Sequence, residues 1–105
     1  MQLLTEKIKK TLPPLRSTED AKDKEFVCKF FDPCGSWTWY VLEGEEMPDG
    51  DWRLYGLVDG LEKEWGYFML SELESIRGPL GLGIERDVYF KSCMRPVEKA
   101  VKNDG

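Results

Sequence analysis

The stretch Trp37-Thr-Trp-Tyr-Val-Leu42 decides the fold. Aromatic and β-branched side chains fit a pleated, half-buried surface, so this run reads as a strand. The turn formers Asp32-Pro-Cys-Gly-Ser36 precede it. Upstream of that turn, residues 25–31, Glu-Phe-Val-Cys-Lys-Phe-Phe, read as another strand. Downstream, residues 43–51 contain Gly44, Pro48 and Gly50 and read as a longer loop. Residues 52–58 and 65–70 read as the third and fourth strands, with a turn opened by Asp59-Gly60 between them. Four strands with short connections point to an antiparallel meander, since neighbours in sequence usually pair.

The flanks read as helical. Leu3, Leu4, Ile8 and Leu12 recur at helical spacing, which predicts a helix over 2–11. Thr5 offers an N-cap for a shorter version, and Lys7, Lys9 and Lys10 suit the C-terminal end of its dipole. Pro13-Pro14 ends it. Residues 17–24 are polar and read as a surface loop. Ser71 followed by Glu74 has the form of a capping box, which starts a short helix over 71–77 before Gly78-Pro79 stops it. Residues 85–89 read as a last short strand. The expected fold is α+β: an antiparallel four- or five-stranded meander sheet, an N-terminal helix, and a short helix after the fourth strand. Residues 1–96 are expected to form one domain and 97–105 a weakly ordered tail.

Composition removes several functional classes. The chain of 105 residues has no histidine, which takes away the commonest general base, the usual triads and most zinc sites. Cys28, Cys34 and Cys93 match no zinc ribbon in spacing and read as free thiols, with Cys34 in a turn as the exposed, reactive one. No Walker, G-x-G-x-x-G or G-x-S-x-G motif occurs, and Gly78, Gly81 and Gly83 read as backbone devices. No run approaches the roughly 20 apolar residues of a membrane span, and the N-terminus lacks a signal-peptide pattern. A cytoplasmic protein without cofactor, metal or membrane partner is expected.

The net charge of −5 is unevenly distributed. Residues 1–24 carry +2, residues 25–66 carry −7, and residues 67–105 are neutral. An acidic chain disfavours direct non-specific binding of nucleic acid, whose affinity comes mainly from basic contacts to phosphate. In a meander the turns at 32–36 and 59–64 share one end of the sheet, with Asp32, Asp59, Glu62 and Glu64 and with Lys63 as the only base. The loop at 43–51 lies at the other end with Glu43, Glu45, Glu46, Asp49 and Asp51. Five carboxylates so close repel, so this loop reads as a solvated segment, a cation site, or a surface complementary to a basic protein partner. Strand alternation sets Trp37, Trp39 and Val41 on one face and Thr38, Tyr40 and Leu42 on the other. It does the same for Trp52, Leu54 and Val58 against Arg53, Tyr55 and Leu57. Both faces are apolar, and an uncovered part would be an interaction surface. The candidate partner-binding residues are the five carboxylates with Trp37, Trp39, Tyr40 and Trp52. Arg77, Glu85, Arg86 and Asp87 read as a structural ion network rather than as acid–base catalysts. Oligomeric state is left open.

The run from Gly66 to Phe90, densest over Ser71–Asp87, resembles a family of small bacterial proteins catalogued as a domain of unknown function. Leu12-Pro-Pro-Leu15, Ser36-Trp-Thr-Trp-Tyr40 and Leu54-Tyr-Gly-Leu-Val58 fit the same family, and the resemblance spans about residues 1–91. The resemblance implies carriage on plasmids, phages and integrated elements, and it brings no catalytic residues. The expected function is a non-enzymatic protein-interaction protein of a mobile element, for example an anti-CRISPR inhibitor of a host defence complex acting through an acidic surface. The alternatives are a small Asp/Glu-dependent or metal-dependent enzyme, and an accessory factor for plasmid transfer or replication.

Overall fold

The longest strand, β2 (Thr38–Glu46), contains the deciding stretch, and the sheet is built outward from it. The computed structural model describes residues 2–20, 24–78 and 80–90. The other strands are β1 (Cys28–Phe31), β3 (Trp52–Asp59), β4 (Lys63–Met69) and β5 (Glu85–Arg86), and the helices are α1 (Glu6–Thr11) and α2 (Leu70–Ser75). The sheet order is β4-β3-β2-β1-β5, with every neighbouring pair antiparallel. The expected α+β meander is what forms. The last strand is shorter than the expected 85–89 and returns to the outside of β1. The expected tail at 97–105 and Cys93 lie outside the described residues. Among the described residues no helix is long and apolar enough to cross a membrane.

The register sorts the side chains into two faces. The first face gathers Cys28, Phe30, Trp39, Val41, Leu54 and Phe68 into the main core. Leu3, Leu4, Leu12, Leu70, Leu73 and Ile84 close over it. The second face holds Leu42 and Leu57 under Phe26, with Tyr40, Tyr55 and Phe90 packed around them. Phe26 is fully buried there, with ring centroids 5.2 Å from Tyr40 and 5.8 Å from Trp65. Cover on this face is incomplete: Trp65 and Tyr67 near the β4 edge stay half-exposed.

Three local expectations are corrected. The N-terminal helix starts at Glu6 rather than at residue 2, because Thr5 caps it: its Oγ1 accepts the Ile8 N–H at 3.2 Å. Leu3 and Leu4 are buried all the same, as an irregular segment whose carbonyls at Gln2 and Leu3 accept hydrogen bonds from Arg86. Strand β1 starts at Cys28 rather than Glu25, since the chain bends at Val27 and sends Phe26 to the opposite face from Cys28. Helix α2 starts one residue before Ser71, and Glu72, not Glu74, turns back to cap it, accepting the Met69 N–H at 2.9 Å.

Candidate functional site

The largest correction concerns the acidic stretch. Residues 43–46 are not loop: β2 runs through them, and the connection to β3 is only a tight turn at 47–51. The ladder slips between Val41 and Glu43, where Val41 faces Gly56 and Glu43 already faces Tyr55. That bulge at Leu42 changes the alternation, as an extra residue in one strand must. Without it Glu43 would point into the main core beside Val41 and Leu54. With it Glu43 joins Tyr55 on the second face.

Glu43 is 3% exposed, the one buried charged residue among those described. Its Oε1 accepts the Arg16 backbone N–H at 2.7 Å. Its Oε2 accepts the Thr18 N–H at 3.0 Å and the Thr18 hydroxyl. Arg16 sits at φ 69°, a left-handed conformation uncommon outside glycine. The turn aims the N–H groups on either side of Ser17 at one point and makes a concave anion site. Here the anion is the protein's own carboxylate, and the result is a latch that ties the 14–20 loop to the sheet. A cavity of about 230 Å³ lies beside it, lined by Arg16, Lys24, Tyr55 and Tyr67 among others. Burial raises the Tyr55 phenol above its ordinary pKa, with smaller contributions from Tyr67, Glu43 and Glu19. A hydrogen bond with Tyr67 raises the Arg16 guanidinium.

Asp51 has a similar internal role. Its Oδ1 accepts the N–H groups of Trp52 at 2.7 Å and Ser71 at 3.2 Å, and its Oδ2 accepts the Ser71 hydroxyl at 2.5 Å. The Ser71 hydroxyl bond holds the Asp51 carboxyl below the usual Asp pKa. Asp49 accepts the Asp51 N–H at 2.9 Å and shapes the turn. Only Glu45 and Glu46 of the five project from the sheet uncommitted, and alternation sends them to opposite faces. The five carboxylates therefore do not form one docking surface.

The aromatic candidates also divide. Trp39 is buried in the main core, and Trp52 packs beside α1 with the Lys9 ammonium 5.7 Å from its ring centroid. Trp52 Nε1 is buried without a hydrogen-bond partner. Tyr40 is half-buried under Phe26, with Lys29 5.6 Å from its ring centroid. Trp37 alone is largely open, at 41% exposure. Arg77 donates to the carbonyls of Glu74 and Ile76 at 2.7 Å each. Arg86 donates to Gln2 and Leu3, and Asp87 faces Lys29 at 3.8 Å. Glu85 pairs its backbone with Phe31.

The opposite end of the sheet has the open site. The turns at 32–37 and 60–62 meet there, as the meander requires. Asp32 is internal, accepting the Cys34 N–H at 2.9 Å. Trp37 stacks on Trp39 with centroids 6.1 Å apart, and its ring covers Gly60 so closely that a Cβ there would lie 2.4 Å away. Gly60 thus lets the indole fold over the turn. Leu61 projects beyond it at 94% exposure. Trp37, Val58, Leu61, Glu62 and Glu64 line a cavity of about 320 Å³. Asp59, Glu62 and Glu64 stand around it together with Lys63, which faces Asp59 across the β3–β4 pair. An apolar floor rimmed by the Glu62 and Glu64 carboxylates suits a basic ligand carrying an apolar anchor. Among the described residues no three His, Cys, Asp or Glu side chains converge as a metal site. Sequence reasoning brought Asp59, Glu62 and Glu64 to one end but missed Leu61. The signal available was a large aliphatic residue within the Asp59-Gly-Leu-Glu62 turn, where polar residues are usual.

A family model described as a protein of unknown function, DUF2958, matches residues 3–101. No curated protein and no solved structure matches the chain.

Proposed function

We propose a role for this chain, which belongs to the DUF2958 family of proteins of unknown function: it is a non-enzymatic protein-interaction protein that engages a basic partner through the tip of its sheet. The observation that carries the reading is the open cavity of Trp37, Val58 and Leu61 rimmed by Glu62 and Glu64. The apolar floor would supply the anchor, and the carboxylates would select a cationic partner and speed encounter. A finer form follows from the charge. A basic groove that normally holds phosphate, in a nuclease or surveillance complex, offers the complement. The protein would then serve a mobile element as an inhibitor of host defence, of the anti-CRISPR kind.

The test is capture of host proteins on the full chain, compared with Trp37→Ala and with Glu62→Lys joined to Glu64→Lys. A partner retained by the parent, lost with both variants and released as salt rises supports the reading. A partner retained by both variants with the same salt dependence overturns it.

A further inference from the structure

We infer that the outer edge of β4 is a strand-addition site, whose occupant is an extended basic segment of the partner protein. This rests on the acidic tip being the partner site and names the chemistry that binds there. Strand β4 ends the sheet, and among the described residues no strand lies on its outer side. Native edges are usually blunted by charged side chains, Pro, bulges or a covering segment, and the charges of β4, Lys63 and Glu64, stand at one end of it. The seven residues of β4 contain no Pro and pair with β3 without a break in register. Trp65 and Tyr67 on it are half-exposed.

A second, independent observation is Gly66 at the centre of β4. Glycine weakens a strand and is placed there usually for a bulge, a bend or a close backbone approach. Gly66 is not among the glycines with positive φ, and a Cβ built on it meets nothing within 4 Å. Its partner Gly56 differs, since a Cβ there would lie 1.8 Å from the Tyr40 carbonyl oxygen. Packing among the described residues accounts for Gly56 and not for Gly66. The bare position at Gly66 leaves room on that face for a large side chain of a strand laid along the edge.

Charge chooses the occupant. Glu64 faces Val58 and lies on the same side as Gly66, beside the tip cavity. A strand laid along β4 sets a side chain next to Glu64 and the nearby Glu62, where Lys or Arg is favoured. On the other side it meets Trp65 and Tyr67, whose rings accept apolar groups or a guanidinium. Arg53 already lies 4.8 Å from the Tyr67 centroid. A second copy of β4 fits less well. Residues opposite each other in an antiparallel pair share a face, so a copy offers Glu64 only Glu64, Gly66 or Phe68. Its Lys63 falls on the Trp65 side. The complement is instead a foreign segment, with basic residues alternating with apolar ones.

The probe is a synthetic peptide of alternating Lys and Val, about as long as β4, titrated at low salt and followed by calorimetry. Its controls are the same peptide N-methylated at alternate amides and a peptide of alternating Glu and Val. The Lys–Val peptide is expected to bind, the methylated form at least ~10-fold more weakly because several main-chain hydrogen bonds are lost, and the Glu–Val form not at all. Equal binding by the methylated form, or no binding by the Lys–Val peptide, overturns strand addition. If partner capture still depends on Trp37 and Glu62 in that case, only this inference fails; if it does not, the reading beneath it fails too. Self-association of the chain that Trp65→Lys abolishes would assign the edge to a second copy and also overturn the proposal.

Discussion

Thr18 donates its backbone N–H to the Glu43 carboxylate at 3.0 Å, across 25 positions of sequence. The same carboxylate takes the Arg16 N–H at 2.7 Å. One strand residue thereby fixes a loop that has little apolar material to hold it down. Buried carboxylates are costly unless hydrogen-bonded, and here both oxygens are engaged.

Glu43→Ala should destabilise the fold by about 1–2 kcal/mol, because the part-buried N–H groups of Arg16 and Thr18 lose their charged acceptor. The urea midpoint should fall, and limited proteolysis should cut earlier within residues 14–20. Equal cleavage of parent and variant would argue that the loop is held by other contacts.

Asp51 predicts an acid limb in stability. Its folded pKa lies below the ordinary Asp value, so the ionised form favours the native state. That contribution is present above the unfolded pKa of about 3.9 and is lost as pH falls through the lower folded value. Asp51→Asn should therefore be less stable than the parent at neutral pH, and the gap should close on acidification. Ser71→Ala should reproduce part of the loss, since its hydroxyl is the first cause of the shift. Thermal unfolding at a series of pH values measures both.

Gly56 and Gly66 are cross-strand partners with opposite expectations. Gly56→Ala forces a methyl group into the Tyr40 carbonyl and should cost about 3 kcal/mol, near the upper end of ordinary overpacking. Gly66→Ala meets open space and should leave stability unchanged or raise it by roughly 0.5–1 kcal/mol. Chemical denaturation of the two variants decides the contrast.

Cys28 and Cys34 should differ in reactivity. Cys34 is exposed, whereas burial pushes the Cys28 thiol up to about 12. In a Cys93→Ser background a disulfide reagent at mildly alkaline pH should modify Cys34 at once and Cys28 only as the chain opens. The raised Cys28 value also makes a stability contribution. It is complete below the unfolded thiol pKa of about 8.5 and is lost as pH rises toward the folded value. Cys28→Ser should flatten that alkaline limb.

Much of this was legible in the chain. Trp37–Leu42 named a strand through β-propensity, which is a local property. Alternation then assigned Trp39 and Val41 to one face and Tyr40 and Leu42 to the other, and both assignments hold. The sharing of one end by Asp59, Glu62 and Glu64 follows from antiparallel connection alone. The start of α1 at Glu6 was less plain, because Leu3 and Leu4 are buried as an irregular segment and mimic helical spacing.

The sequence by itself thus determined the elements, their order and the end of the sheet to which each turn belongs. These depend on neighbours in the chain. Only the tertiary structure decided which carboxylates remain available. The bulge at Leu42 turns Glu43 to the second face, and the donors that Glu43 and Asp51 receive at Thr18 and Ser71 lie 25 and 20 positions away. A carboxylate's role is set by what folding brings within hydrogen-bond reach, which local pattern cannot encode. For that reason the acidity read at residues 43–51 serves largely as internal fastening, and the open acidic surface lies at Trp37, Leu61, Glu62 and Glu64.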